Sequence, residues 1–304
     1  MTRATIQETP ARRGGERSKP LTGEPVRASR WRAWVRSPWT WLLMVAVAAM
    51  IAASNVRMST GPAAGSAFEG TAAPITATQP RFRVGIFNIH GGRGPDNVRD
   101  LTRTADCLRD IDLVGMNEVL GPKLWWQTDQ CQQLGKLLDT QWLFAPTESR
   151  WWDGSFGNGL LCRLPVTAWQ RIPLPRAGAH THRNVVFSTI DVSGHAVHVL
   201  LTHLDSRDAE RRHEQLRTVG ELFLSLAPPA ILLGDMNTLP DDPQLQELLG
   251  VPGVVDAVAA GMTEPPPRRI DWLLTRGLRT VAAGCEDHGA SDHPLYWADV
   301  EVVE

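Results

Sequence analysis

The chain has 304 residues, enough for one large domain with extensions. A hydrophobic fraction of 42% and a charged fraction of 21% exclude a wholly disordered or fibrous chain. The net charge of -2 hides an asymmetry. Residues 1–79 carry 10 Lys+Arg against 4 Asp+Glu, and residues 80–304 carry 21 against 29, which makes the larger part a poor electrostatic match for long nucleic acid.

Residues 1–37 are rich in Arg, Pro, Gly and Ser without apolar periodicity, which predicts a disordered basic segment. Residues 39–53, WTWLLMVAVAAMIAA, are then apolar except for Thr40. The run is short for a spanning helix, but Val56 extends it and Trp39 and Trp41 suit an interfacial belt. We therefore expect a transmembrane signal anchor over 38–56. Nine Lys/Arg precede the run, which puts the N-terminus in the cytoplasm and the remainder outside the cell membrane. A cleaved signal peptide, leaving a secreted protein, stays open because Ala52, Ala53 and Ser54 are small. Residues 57–80 are dominated by Ala, Gly, Thr and Pro and read as a flexible linker, with a folded domain over 81–304.

Within that domain, residues 81–88 read as a strand ending at a glycine turn, His90-Gly91-Gly92. Val98, Leu101, Ala105, Leu108 and Ile111 share a helical face, with Asp96 or Asn97 as its cap. Residues 112–119 read as a strand and 127–139 as a helix. Short strands follow at 158–162, 166–172, 184–191 and 196–202, then a polar helix at 207–226. A buried strand at 230–233, a short helix at 243–249, and strands at 272–274 and 297–303 complete the chain. This alternation predicts a layered α/β (α+β) domain. The cysteines Cys107, Cys131, Cys162 and Cys285 have no metal-binding spacing. Two readings stay open for them: buried thiols, or a Cys107–Cys131 bridge outside the cytoplasm.

The informative pattern is positional. Hydrophobic strands end in polar groups: Asn88 with His90, Asn117 with Glu118, Thr202 with His203, Asp235 with Asn237, and Asp271. Ser291, Asp292 and His293 precede the last strand. Strand ends are where a scaffold fixes reactive side chains. Glu118 and Asp292 supply hard oxygen ligands for Mg2+ or Mn2+. Asn88 and Asn237 can orient a phosphate or water without adding charge. Asp235 is the candidate to activate water, His203 and His293 can act on phosphate oxygens, and Asp271 is the candidate to fix the His293 tautomer. His90 either touches substrate or fills the glycine turn, and Arg183 either holds a phosphate or is an ordinary surface arginine.

The ordered set FNIHGG, NEV, GNGLL, THLD, GDMN, RIDW and SDHP resembles the endonuclease/exonuclease/phosphatase superfamily over residues 81–304. That resemblance implies a DNase I-like four-layered sandwich: two packed mixed β-sheets flanked by helices. It puts Asn88 and Glu118 at a metal, with Asp292 contributing, and His203 on the phosphate. It gives Asp235 and Asn237 the nucleophile, and it pairs Asp271 with His293. Two positions depart from the family pattern: Asn117 stands where Gln is common, and Trp272 where Tyr is common.

The expected activity is Mg2+/Mn2+-dependent hydrolysis of a small or membrane-associated phosphoester. An extracellular nuclease and a non-catalytic membrane-anchored binding module are the alternatives. Trp125-Trp126 and Trp151-Trp152 are candidate aromatic contacts for an apolar or stackable part of the substrate.

Overall fold

A computed structural model of the chain describes residues 37–53, 57–58, 63–70, 72–77, 79–123, 127–150, 154–175 and 182–303. The basic segment before residue 37 and both tryptophan pairs lie outside the described residues. The chain divides into two compact units, one ending at Ala52 and one beginning at Ala53.

Helix α1 (Pro38–Ala53), all but its last residue in the first unit, has 16 residues with proline in its first turn and no charged residue in its first or last turn. Proline fits there because its fixed φ is helical and its missing N–H would have no intrahelical partner. The helix is apolar all round. At 1.5 Å per residue it is about 24 Å long, against about 30 Å for a hydrocarbon core. Among the described residues no helix is long and apolar enough to cross a membrane. Residues 54–56, which the sequence adds to the expected anchor, are not among them.

The second unit opens with β1 (Arg57–Met58), β2 (Ala64–Gly65), β3 (Arg81–Asn88), a 3-10 turn at His90–Gly92, α2 (Leu101–Cys107) and β4 (Leu113–Leu120). Next come α3 (Gln130–Leu138), β5 (Gln141–Arg150), β6 (Gly154–Cys162), β7 (Val166–Pro173), β8 (Asn184–Val192) and β9 (His195–His203). It closes with α4 (Ala209–Ser225), β10 (Ala230–Asp235), α5 (Pro243–Leu249), β11 (Val255–Asp256), α6 (Ala257–Gly261), β12 (Asp271–Arg276), β13 (Leu278–Glu286) and β14 (Leu295–Val302).

The strands form two seven-stranded sheets, ordered β1-β5-β6-β4-β3-β14-β13 and β11-β12-β10-β9-β8-β7-β2. Each is mixed: β3 and β4 are parallel in the first, β9 and β10 in the second, and their other pairings are antiparallel. The inner faces pack on each other through Val84, Ile86 and Leu160 from the first sheet and Val199, Leu201 and Leu233 from the second. Leu108 and Leu134 carry α2, its C-terminal turn and α3 onto the outer face of the first sheet. Leu216, Phe223 and Leu245 carry α4 and α5 onto the second. The result is a four-layered sandwich. Central strands such as β10 are buried at every position, so their sequences read as apolar runs rather than alternations. Full burial of each such Leu or Ile side chain stabilises the fold by about 1.5–3 kcal/mol.

Several expectations are corrected. Helix α2 is shorter than its apolar stripe and is capped by Asp100, whose carboxylate accepts from the Thr102 and Arg103 amides. Asp96 instead caps a turn at Val98 and pairs with Arg103. Strands β5 and β13 were not among the expected elements. Residues 57–80 are partly pinned to the domain: β1 pairs with β5, β2 pairs with β7, and Phe68 is buried in the inter-sheet core. A lone apolar side chain among small residues gives little periodic signal, yet it is enough to dock a strap.

All four cysteines are free. The Cys107 Sγ turns back to the Arg103 carbonyl on its own helix, while the Cys131 side chain is buried against Gly159 of β6. The two thiols therefore point at different partners.

Candidate active site

Strand register assembles the polar groups. Parallel pairing sets Asn88 beside Asn117 at the end of β3 and β4. It likewise sets His203 beside Asp235 at the end of β9 and β10, and antiparallel pairing sets Asp271 opposite Asp235. The two sheets meet at this end through Asn117, which is buried. Its Oδ1 accepts the Asp235 amide at 2.8 Å, and its Nδ2 donates to the Thr202 carbonyl at 3.0 Å and to Asn158 Oδ1 at 2.8 Å. Asn158 passes the contact on to Asn184 Oδ1 at 2.9 Å. The shorter Asn in place of Gln is thus fully used as an inter-sheet tie.

Local backbone geometry turns side chains toward the site. Of the six non-glycine residues with positive φ among the described residues, three are His90, Glu118 and Asn237. Such conformations cost energy and persist where surrounding contacts enforce them. At Glu118 the cause is a bulge: the β4–β6 register shifts between Met116 and Val119, which takes Glu118 out of the ladder. Gly234 also has positive φ, and a Cβ there would collide with the Thr202 carbonyl oxygen. Only glycine lets β10 lie this close to β9 immediately before Asp235.

At the centre, Asn88 Nδ2 donates to Asp235 Oδ2 at 3.0 Å and lies 3.4 Å from Glu118 Oε1. Asp235 Oδ2 is also 3.5 Å from His203 Nε2 and 4.0 Å from His293 Nε2. Asp235 Oδ1 accepts the Asn237 amide at 2.9 Å, and Asn237 Nδ2 donates to the Leu204 carbonyl at 3.2 Å. His293 Nδ1 lies 2.7 Å from Asp271 Oδ2. Ser291 Oγ donates to the Asn88 carbonyl at 2.6 Å, anchoring the loop that carries Asp292 and His293. Asp292 is half-exposed, and its Oδ1 lies 3.3 Å from His90 Nδ1. Trp272 is buried, and its indole N–H donates to the Thr238 carbonyl at 2.9 Å, so this departure from the family pattern braces the turn after Asn237.

Burial is the main force on the titrations. It raises the Asp235 and Asp271 carboxyls, and the Asp271 charge raises Asp235 further. Burial alone would lower His293, but the Asp271 hydrogen bond and the charges of Asp271, Asp235 and Asp292 outweigh it and lift the imidazole to about 9. His203 goes the other way: burial, helped by Arg183 and His293, pushes it well below the usual histidine range and keeps it neutral. Two imidazoles near one carboxylate are therefore held in opposite protonation states.

Which residues suit a metal follows from donor chemistry. Asp235, Asp271 and His293 bring ligand atoms within 4.8 Å of one another. There, however, Asp271 already engages His293 Nδ1. Glu118 and Asp292 offer anionic oxygens that fit a hard divalent cation, and Asn88 stands beside Glu118 with its Nδ2 toward that carboxylate and its Oδ1 accepting the His90 amide at 3.1 Å. Glu118 and His203 line a cleft of about 380 Å³ whose walls also carry Arg99, Lys123, Arg183 and Arg207. Among the described residues none of these four cations forms an ion pair, whereas Arg83, Arg211 and Arg269 each hold a carboxylate. Arg183, read from sequence with surface arginine as one option, is half-buried in the cleft wall.

The structure therefore brings Asn88, Glu118, His203, Asp235, Asn237, Asp271 and His293 together, with His90 and Asp292 at one edge and Arg183 in the wall. The reading of strand ends passed over Asn158, Asn184 and the three other cleft cations. Asn158 carried a signal, an amide between two glycines in GNGLL. The cations carried none, because they lie on loops whose course only the fold sets.

A sandwich of two mixed sheets with carboxylates, amides and imidazoles gathered at one end of the central strands is the DNase I-like architecture. The chain belongs to the Endonuclease/Exonuclease/phosphatase family, which it matches over residues 85–293. Members are phosphoester hydrolases that generally use a divalent metal, and the chain is a hydrolase of that family. It is 30% identical over 181 residues to the uncharacterized protein YbhP of Escherichia coli K12, covering 54% of this chain and 70% of that protein. An endonuclease/exonuclease/phosphatase structure from Beutenbergia cavernae is similar at TM-score 0.60 and 28% identity, over 74% of this chain and 72% of that one. The human Nocturnin catalytic domain shares the fold at TM-score 0.57 and 19% identity, over 75% of this chain and 97% of that one.

Proposed function

We propose that the protein is a Mg2+- or Mn2+-dependent phosphodiesterase or phosphatase that acts on a small or membrane-associated phosphoester. The observation that carries this reading is the grouping of Asp235, His203 and His293 around one carboxylate oxygen beside Glu118. In the proposed reaction Asp235, backed by Asn237, orients water and accepts its proton as the new P–O bond forms, while the ester P–O bond breaks and the leaving oxygen departs as the alcohol, protonated from solvent. His293, kept protonated by Asp271, and neutral His203 donate to non-bridging phosphate oxygens, where negative charge builds in the transition state. Asn88, Glu118 and Asp292 would hold the divalent cation, which when bound neutralises phosphate charge.

Membrane attachment, with the hydrolase outside the cytoplasm, is part of the proposal. Its support is the apolar run at residues 39–53 behind nine basic residues. Protease accessibility of a C-terminal tag in intact cells, together with fractionation of the full chain, tests it. A tag recovered only in the soluble cytoplasm overturns it.

A nuclease reading has one specific support, the four cleft cations, set against the acidity of residues 80–304 as a whole. The deciding experiment is a substrate panel on the detergent-purified full chain, with Mg2+, Mn2+ or EDTA. Bis-p-nitrophenyl phosphate, p-nitrophenyl phosphate, phospholipid micelles and plasmid DNA form the panel. Metal-dependent cleavage of small or lipid esters in preference to DNA supports the proposal. Preferential DNA cleavage selects the nuclease, and no cleavage of any ester with either metal refutes both.

A further inference from the structure

The catalytic cleft does not end at Glu118. Arg99, Leu120 and Lys123 form a wall that it shares with a second cavity of about 230 Å³, which Leu101, Gln130 and Gln133 also line. The shared wall is organised from within. Arg99 Nε donates to the Gly91 carbonyl at 3.0 Å, and Gln130 Nε2 donates to the same oxygen at 2.8 Å. Gln130 Oε1 in turn accepts the Leu120 amide at 2.9 Å. Arg99 is thus tied at one nitrogen to the turn that carries His90, and no carboxylate pairs with its terminal nitrogens or with Lys123 among the described residues. Burial and the neighbouring Arg93 both work against the charge on Arg99. Two cations without carboxylate partners among the described residues, Arg99 held at Nε and Lys123 at the rim, stand on a wall shared with the cleft that Glu118 and His203 line, and together they suit an anion.

We propose that this second cavity is a subsite for a second phosphate on the substrate, bound between Arg99 and Lys123. The linking part of the substrate would cross Leu120 while the reacting phosphate lies at Glu118 and His203. The proposal rests on the function above, because it takes that end of the cleft as the place of reaction. It narrows the substrate class to esters bearing two phosphates. A soluble bisphosphate and a lipid headgroup with two phosphates present the same chemistry to this wall.

The test uses two pairs of esters on the full chain in detergent. One pair is thymidine 5′-(p-nitrophenyl phosphate) with and without a 3′-phosphate. The other is phosphatidylinositol with and without a 4-phosphate, in mixed micelles. We expect the doubly phosphorylated member of at least one pair to have a KM lower by about tenfold, the scale of one charge-assisted contact. Arg99→Gln and Lys123→Gln should each abolish that preference, so that the two members of the pair come to share one KM. Lys123 is half-buried at the rim, so its variant reports even if loss of the Arg99 anchor disturbs folding. The pair that shows the effect identifies a soluble or a lipid source. Equal KM within both pairs, or a preference that survives both substitutions, overturns the subsite. Inactivity of the wild type on all four esters with either metal would instead count against the parent function.

Discussion

The backbone amide of Asp235, on one sheet, donates to the side-chain oxygen of Asn117, on the other, at 2.8 Å. This bond ties the two sheets together at the candidate site. Asn117→Ala would leave the Asp235 amide and the Thr202 carbonyl without their side-chain partner in the core. We expect a loss of about 2–4 kcal/mol in urea denaturation, and a fall in kcat larger than any rise in KM. Unchanged stability would mean that the sheets are held together without it.

His293 should titrate abnormally. Its raised pKa of about 9 means that folding favours the imidazolium. The stability this contributes is complete below about 6.5 and is lost as pH rises through about 9. In a metal-free NMR titration the ring should therefore change state near 9. Asp271→Asn leaves the burial but removes the charged partner, so the transition should fall to 6.5 or below, and kcat should drop about 10²- to 10⁴-fold. A midpoint that does not move would show that Asp271 is not what holds the proton.

Asp235 is predicted to trade stability for chemistry. Burial, then repulsion from Asp271, raises its carboxyl to about 7. A raised carboxyl pKa makes the folded state bind the proton more tightly, so this contribution to stability is present at low pH and is lost as pH rises through about 7. At pH ~8 Asp235→Asn should be more stable than wild type by about 1–3 kcal/mol, while hydrolysis is abolished. A variant that is both active and no more stable contradicts the role given to this residue.

Metal dependence should run through Glu118. EDTA should inactivate the enzyme and Mg2+ or Mn2+ restore it, with a Tm that rises as metal is added. Glu118→Gln removes an anionic oxygen ligand and should raise the metal concentration for half-maximal activity by about tenfold or more. If the metal-dependent rise in Tm is the same in wild type and variant, the cation binds elsewhere, and the Asp235–Asp271–His293 group is the next place to look.

The strand-end residues were legible because chemistry and position coincide in them: Asn88, Glu118, His203 and Asp235 close strongly apolar runs, and Asp271 and His293 stand just ahead of one. A one-dimensional pattern can mark a strand terminus, since apolar runs and glycine turns are local. It cannot mark which strands become neighbours. Parallel pairing of β9 with β10 and antiparallel pairing of β12 set His203 and Asp271 beside Asp235, although these residues are far apart in the chain.

By itself, then, the sequence determined the layered α/β class, the family and most of the residues that gather at the candidate site, because these depend on residue type and short-range spacing. The tertiary structure alone decided that Asn117 bridges the sheets, that Phe68 docks the supposed tether, and that His203 and His293 carry opposite proton states. It alone gathered Arg99, Lys123, Arg183 and Arg207 into one cleft of an otherwise acidic domain. Each of these depends on distances between segments remote in sequence and on burial, and neither quantity exists until the two sheets pack.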